Sequence, residues 1–199
     1  NYSFYYSMQD FLCHETITAS RFVENLDFMR GRLYRDINSV LLNLIDSHDT
    51  ARFLHVASEN KAKLKLAAAL QLLLPGMPMI YYGDEYGMTG GNDPDCRRGM
   101  VWDEKYQDHD VYNWYCNLIK ARKENLALTE GELVSCKTDD ENGLIEMVRT
   151  LDGKEVVAVF NGRNKSVSLS EYSGMKDLIT GEIFSGELGS YGAVLFSAN

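Results

Sequence analysis

The chain lacks three features that would commit it to particular partners. It contains no uninterrupted apolar stretch close to the roughly 18 residues that a membrane-spanning helix needs, and its start lacks the basic, apolar and small-residue pattern of a signal peptide. Its formal net charge is -9, and its lysines and arginines are scattered rather than gathered into a basic stripe. Because nucleic-acid binding depends on neutralising phosphates, we expect neither a nucleic-acid partner nor a membrane partner.

Paired cysteines are also lacking. The four cysteines are far apart, and none belongs to a CxxC pair. This spacing favours reduced thiols over a disulfide framework or a zinc site, which predicts a cytoplasmic protein without a metal or cofactor. The residues concerned are Cys13, Cys96, Cys116 and Cys136.

Polar residues follow a continuous apolar run at residues 40–45, where His48 and Asp49 come after Asp46 and Ser47. A buried parallel strand has this appearance, and in (β/α)₈ barrels the catalytic groups lie where strands end. The residues alone leave an alternative open, in which His48 is a hydrogen-bonded loop histidine and Asp49 caps a helix that begins near Thr50.

A second apolar strand is predicted at residues 79–82. A helix that ends near residue 74 and the pair Pro75-Gly76 precede it, and Asp84 and Glu85 follow it. Such punctuation is typical of a helix end. Two consecutive strand-helix units therefore place acidic residues at their carboxyl ends.

The spacing of apolar residues changes from helical to strand-like near residue 128. Helical spacing is found around residues 22–33, 61–74 and 111–125. Six short strands separated by Gly, Asn and Asp turns follow, which predicts an antiparallel β-sandwich. We expect these strands at residues 133–136, 144–148, 156–160, 167–169, 177–179 and 193–196.

Two strings carry a family resemblance: LIDSHDT at residues 44–50 and LLLPGMPMIYYGDEYGMTGGNDPDCRRGMVWDE at residues 72–104. Together they resemble the last part of the catalytic barrel of α-amylase-family glycoside hydrolases, in the branch of neopullulanases, cyclomaltodextrinases and maltogenic amylases. The resemblance implies that residues 1–127 are the last strand-helix units of a (β/α)₈ TIM barrel and that residues 128–199 are a β-sandwich domain.

The resemblance also implies an activity and its partners. It predicts a retaining hydrolase or transglycosylase that acts on α-1,4 and also α-1,6 glucosidic bonds of maltodextrins, cyclodextrins or pullulan. Its partners would be α-glucan oligosaccharides, and the full enzyme could be a homodimer. The family's nucleophile Asp and acid/base Glu follow the fourth and fifth barrel strands, which would lie before Asn1, so we expect the isolated chain to be inactive.

The resemblance assigns roles to four residues. Asp49 would be the third catalytic carboxylate, which stabilises the transition state by accepting hydrogen bonds from the sugar in subsite -1, and His48 would donate to the same sugar. Asp93 and Arg97 would bind the sugar in subsite -2. For the loop around Asp93 two alternatives remain open: a purely structural ion pair, or a calcium loop.

Further residues are expected near the site. We expect that either contact with substrate or orientation of neighbours is the role of Tyr82, Asp84 and Glu85. Arg52 would lie at the rim as an ion-pair partner. We expect Trp102 to pack in the core rather than stack on a sugar.

Two other expectations concern the whole chain. A non-catalytic β-sandwich module that binds glycan or covers the barrel is the alternative function, although residues 128–199 show no aromatic platform. The isolated chain is expected to self-associate through the strand at residues 40–45 or the helix at residues 61–74, because a partial barrel leaves strand edges and apolar faces open.

Overall fold

The structure is a computed structural model that describes residues 1–198. Its first part is mainly helical. Helix α1 (Tyr2–Met8) continues into a π-helical segment, Gln9–Cys13, and helices α2 (Ala19–Gly31) and α3 (Arg35–Val40) follow. The helix predicted around residues 22–33 corresponds to α2, whose first turn is capped by the Thr18 side chain.

Two short strands pair in parallel, as consecutive strand-helix units do. Strand β1 (Leu42–Leu44) lies beside β2 (Met77–Met79), and helices α4 (Phe53–Val56) and α5 (Lys61–Leu73) connect them. Strand β1 is shorter than predicted, because α3 continues to Val40. Strand β2 begins and ends earlier than the predicted residues 79–82, because Tyr81 enters a turn in which its carbonyl oxygen accepts from Asp84 N. Helix α6 (His109–Glu124) comes next, and short 3₁₀ turns lie at Asp84–Tyr86, Asp95–Arg97, Glu104–Tyr106, Leu126–Leu128 and Ser170–Tyr172.

Helix α5 is apolar on nearly all sides, and other elements of the fold cover these sides. It packs against α6 and against a strand of the following sheet, and nine of its residues are buried. Its apolar surface is therefore already covered. The expectation that this helix packs against a copy of itself is wrong for that reason.

The second part of the chain is an antiparallel sheet. Strands β3 (Glu132–Asp139), β4 (Leu144–Leu151), β5 (Lys154–Asn161) and β8 (Ala193–Ala198) lie in the order β3-β4-β5-β8, and β6 (Val167–Ser168) pairs with β7 (Glu187–Leu188) in a separate ribbon. The strand predicted at residues 177–179 is wrong: the Asp177 carboxylate accepts from Ile179 N and Thr180 N, so this segment forms a turn.

The two faces of the sheet belong to two cores, because alternate residues of a strand point to opposite faces. Met147, Ala158 and Phe160 share one core with the helices, while Val159 and Phe196 face the segment that carries β6 and β7. The sheet is thus packed on both sides. No helix within residues 1–198 combines the length and the apolar character required to cross a membrane.

Candidate functional site

The loop after β1 presents His48 and Asp49 to solvent. The backbone N–H of Ser47 donates to Thr50 Oγ1 over 2.9 Å, and the N–H of Asp49 donates to Ser47 Oγ over 3.2 Å. These bonds close a tight turn at the strand end. The side chains of His48 and Asp49 are 66% and 58% exposed, so both can reach a ligand.

Asp49 does not cap the following helix. The first N–H group of α4, that of Phe53, donates to Asp46 Oδ2 over 2.6 Å, and Asp46 is buried. Asp46 therefore satisfies the helix start, which leaves the Asp49 carboxylate free for another task. The alternative interpretation of Asp49 as a cap is wrong.

Four residues singled out in the sequence lie together on this exposed surface. Asp49 Oδ1 is 3.3 Å from His48 Nε2 and 3.7 Å from Arg97 Nη2, and Arg97 Nε is 3.0 Å from Asp93 Oδ1. The surface therefore offers two carboxylates as acceptors, with a guanidinium and an imidazole as donors. Such a set of acceptors and planar donors suits the adjacent hydroxyl groups of a sugar. We call these four residues the exposed cluster.

The loop that carries Asp93 is held by its own hydrogen bonds. Asp95 accepts from Gly91 N over 2.6 Å and from Arg98 Nε over 2.7 Å. The Gly91 N–H, followed by the Arg98 guanidinium, lowers the pKa of the Asp95 carboxyl. Donors thus engage both oxygens of this carboxylate, which leaves it poorly placed to bind a cation. Within residues 1–198 no group of three or more His, Cys, Asp or Glu side chains could hold a metal ion.

Arg52 lies beneath the exposed cluster, not at its rim. Its side chain is 0% exposed, and its Nη1 donates to Asp84 Oδ1 over 3.0 Å and to the Tyr82 carbonyl oxygen over 2.9 Å. Its guanidinium also lies over the rings of Tyr81 and Tyr82, 4.4 and 4.9 Å from their centroids. The expectation that Arg52 is a rim residue is therefore wrong, because these partners hold it in the interior.

Tyr82 and Glu85 support the loops in this structure. The Tyr82 hydroxyl donates to the Arg98 carbonyl oxygen over 2.6 Å, and Glu85 Oε2 accepts from Gly83 N over 2.7 Å. Tyr82 is also partly exposed, so its ring stays accessible from the site. Trp102 is 81% exposed, and the expectation that it packs in the core is wrong.

The buried layer contains two acids: Asp84, which was expected to contact substrate or to orient neighbours, and Asp46, for which no role was expected. Burial raises the pKa of the Asp84 carboxyl well above its usual value, the neighbouring Asp46 carboxylate adds to this rise, and Arg52 opposes it. Burial also raises the pKa of Asp46. A signal was present, since each strand end carries two acidic residues, Asp46 with Asp49 and Asp84 with Glu85. The inner acid of each pair is buried.

Comparison with known proteins shows which family the chain resembles. Residues 1–109 match the model of the alpha amylase catalytic domain. The chain is 39% identical to a cyclomaltodextrinase from Thermoanaerobacter pseudethanolicus, and the alignment covers 90% of this chain and 31% of that protein. It is 38% identical to neopullulanase 2 from Thermoactinomyces vulgaris, and the alignment covers 95% of this chain and 33% of that protein. The chain thus spans about a third of the length of these curated relatives.

The fold agrees with this match. The crystal structure of the maltogenic amylase from S. marinus superposes with a TM-score of 0.90 at 28% identity, covering 99% of this chain and 28% of that one. Sequence and structure therefore point to the same group of proteins, and the exposed cluster lies within the matched region. The chain belongs to the alpha-amylase family.

Proposed function

We propose that the chain is the C-terminal third of a retaining α-glucan hydrolase or transglycosylase, comprising the last units of its (β/α)₈ barrel and a β-sandwich domain divided near residue 128. The observation that carries this proposal is the Asp49 carboxylate. It is exposed at the end of β1, caps no helix and lies 3.3 Å from His48 Nε2 and 3.7 Å from Arg97 Nη2. A carboxylate held between two donors and open to solvent is suited to binding a ligand.

Asp49 would act as the transition-state stabiliser. Retaining glycosidases pass through an oxocarbenium-like transition state, and hydrogen bonds to the ring hydroxyls strengthen as positive charge develops in the ring. Asp49 would accept such bonds from the sugar in subsite -1, while His48 would donate to the same sugar. The nucleophile and the acid/base would come from residues outside this chain, so the 199 residues alone would not hydrolyse glucans.

Asp93 and Arg97 would bind the next sugar, in subsite -2. Their 3.0 Å ion pair sets an acceptor beside a planar donor, and both side chains remain about half exposed. Tyr82 would line the same surface through the exposed part of its ring. Arg52 and Glu85 would support this surface without contacting the sugar. Arg52 donates to Asp84 and to the Tyr82 carbonyl oxygen, and Glu85 accepts from Gly83 N.

The substrate class follows from the relatives. Their names point to cyclodextrins and pullulan, and we propose maltodextrins, cyclodextrins and pullulan as substrates of the full-length enzyme, with α-1,4 and α-1,6 bonds cleaved. The four cysteines are free thiols in the structure, which supports a reducing compartment and hence a cytoplasmic location.

The test uses the full-length enzyme that would contain this chain. It should hydrolyse β-cyclodextrin and pullulan, and proton NMR of the first products should show retention of the α-anomer. The purified 199-residue chain should be inactive, and mixing it with the remaining part of the enzyme should restore activity. Glucan binding by the isolated sheet region, without any hydrolysis by the full-length protein, would support a non-catalytic module instead.

A further inference from the structure

Two buried carboxyl groups lie beneath the exposed cluster, and the proposed reaction uses neither. Asp46 follows β1 and Asp84 follows β2, and the residues are 1% and 2% exposed. Each carboxyl has one oxygen with a partner: Asp46 Oδ2 accepts from Phe53 N over 2.6 Å, and Asp84 Oδ1 accepts from Arg52 Nη1 over 3.0 Å. The remaining oxygens, Asp46 Oδ1 and Asp84 Oδ2, accept from no donor within residues 1–198.

The two carboxyls are bound by consecutive residues of the chain, because Asp46 accepts from the backbone N–H of Phe53 and Asp84 accepts from the guanidinium of Arg52. Besides burial, a hydrogen bond between the two side chains helps to raise the pKa of Asp84 and opposes the rise in the pKa of Asp46. If both were ionised, the Arg52 guanidinium would balance one of the two negative charges, and the other would remain buried without compensation. Burying an unpaired charge is unfavourable, and so is burying an oxygen without a donor. A single proton between the two free oxygens removes both costs.

The other titratable groups around the pair do not supply a second positive charge. Tyr115 of α6 is buried, and this burial, followed by the charges of Asp84 and Asp46, raises the pKa of its hydroxyl well above the usual value, so Tyr115 stays neutral. On α1, burial raises the pKa of Tyr5. Burial also raises the pKa of Tyr81 to about 12, and the Glu85 carboxylate accepts from Gly83 N. These neighbours leave Arg52 as the balancing cation of the pair.

We propose that Asp46 and Asp84 share one proton between Asp46 Oδ1 and Asp84 Oδ2, and that this bridge positions the loop that carries His48 and Asp49. Asp46 lies three residues before Asp49, and Arg52 lies three residues after it. The bridge and the Arg52–Asp84 ion pair therefore fix both ends of the loop to the turn after β2. Asp46 and Asp84 are positioning residues, since neither reaches the surface.

The bridge makes the loop sensitive to a rise in pH. A carboxyl whose pKa is raised by folding stabilises the fold while it is protonated, and this stabilisation is lost as the pH rises through the raised pKa. Deprotonation would leave two negative charges against one guanidinium, so the two loops should separate. The effect on catalysis rests on the proposed function, whereas the shared proton does not.

The proton can be detected in the full-length enzyme labelled with ¹³C at the aspartate carboxyls. At neutral pH the infrared spectrum should contain the C=O band of a protonated carboxylic acid, and Asp84→Asn should remove it. Asp177→Asn is the matched control, because Asp177 is buried too but accepts from the N–H groups of Ile179, Thr180 and Leu195. This control should keep the band.

Activity and NMR test the positioning role. The side-chain amide introduced by Asp84→Asn would keep an N–H donor where the shared proton lies, so this variant should retain most of kcat and lose the decline in kcat that the pair produces as the pH rises. Asp84→Ala, which has no donor, should lose on the order of 100-fold in kcat, as expected when a reacting group is displaced by about 1 Å. The His48 ring resonances should shift in Asp84→Ala and stay near their wild-type positions in Asp84→Asn.

Absence of the acid band in the wild type would overturn the shared proton. A decline in kcat with rising pH that is the same in wild type and Asp84→Asn, or equal losses of kcat in Asp84→Asn and Asp84→Ala, would overturn the positioning role. If the full-length enzyme does not act on α-glucans, the proposed function fails, and the infrared band and the His48 resonances still decide this inference.

Discussion

Arg97 donates a hydrogen bond from its Nε to the backbone carbonyl oxygen of His48 over 2.8 Å. The same nitrogen lies 3.0 Å from Asp93 Oδ1. Arg97 therefore joins the loop proposed to bind the second sugar to the loop proposed to bind the first. A residue shared in this way affects both subsites, whereas Asp93 contacts only Arg97 within the exposed cluster.

The first prediction separates these two residues in the full-length enzyme. Arg97→Ala should lower kcat/KM both for a maltooligosaccharide and for a short aryl α-glucoside that reaches only subsite -1. Asp93→Asn should lower kcat/KM for the maltooligosaccharide by about tenfold, the value of one charge-assisted hydrogen bond, and leave the aryl glucoside nearly unaffected. A contact to a remote sugar acts only on substrates long enough to reach it.

Steady-state kinetics with both substrates checks this prediction. Arg98→Ala is the control, because it removes an ion pair of the same loop without changing the exposed cluster. Arg98 pairs with Asp95 and lies outside the exposed cluster. Equal losses for the two substrates in Asp93→Asn would show that Asp93 stabilises the loop and does not bind a sugar.

A second prediction concerns calcium. The oxygens of Asp95 accept from Gly91 N and Arg98, and Asp93 pairs with Arg97, so a cation would have to displace these donors. We expect the melting temperature of the full-length enzyme to be the same with a chelator and with millimolar calcium. An increase in melting temperature with calcium that Asp95→Asn abolishes would show instead that the loop binds the ion.

The helices and the strand ends of the site could be predicted from local sequence, because periodicity and capping residues act over a few neighbours. The Thr18 side chain caps α2, and His48 and Asp49 follow a strand. Asp177 could not be predicted in this way. Its segment reads as a short strand, yet its side chain accepts from the N–H groups of its own turn and from Leu195 N, which is distant in sequence.

The burial or exposure of charged and aromatic side chains also could not be predicted from neighbouring residues. Arg52 is buried because Asp84 and Tyr81, about 30 residues away, provide an ion pair and a ring to cover it. Trp102 is exposed although it follows two apolar residues, because no other element of the described chain covers it. Both outcomes depend on whether a distant part of the chain covers the side chain, and the neighbouring residues do not encode this.

The third prediction is that the isolated 199-residue chain self-associates. Strand β1 pairs only with β2 in their two-stranded sheet, and apolar side chains on and beside these strands are exposed: Val40, Leu42 and Met77. Exposed strand edges and apolar patches are typical association surfaces. Light scattering should show oligomers that grow with concentration, together with binding of a hydrophobic dye.

The variant Leu42→Lys should reduce this association, because a charge on an edge strand opposes pairing with another chain. Val134→Lys, at an exposed residue of the separate antiparallel sheet, is the matched control and should have little effect. A monodisperse wild-type monomer at high concentration would contradict the prediction.

The measurement that tests the proposed role of Asp49 most directly is kcat of Asp49→Asn in the full-length enzyme, with circular dichroism and melting temperature recorded beside it. Asparagine keeps the size of the side chain and loses the charge that would stabilise the oxocarbenium-like transition state. Because Asp49 caps no helix, we expect an unchanged fold and a kcat lower by at least about 100-fold, or about 3 kcal/mol of transition-state stabilisation. A folded variant whose kcat falls by about tenfold or less would show that Asp49 is not the third catalytic carboxylate.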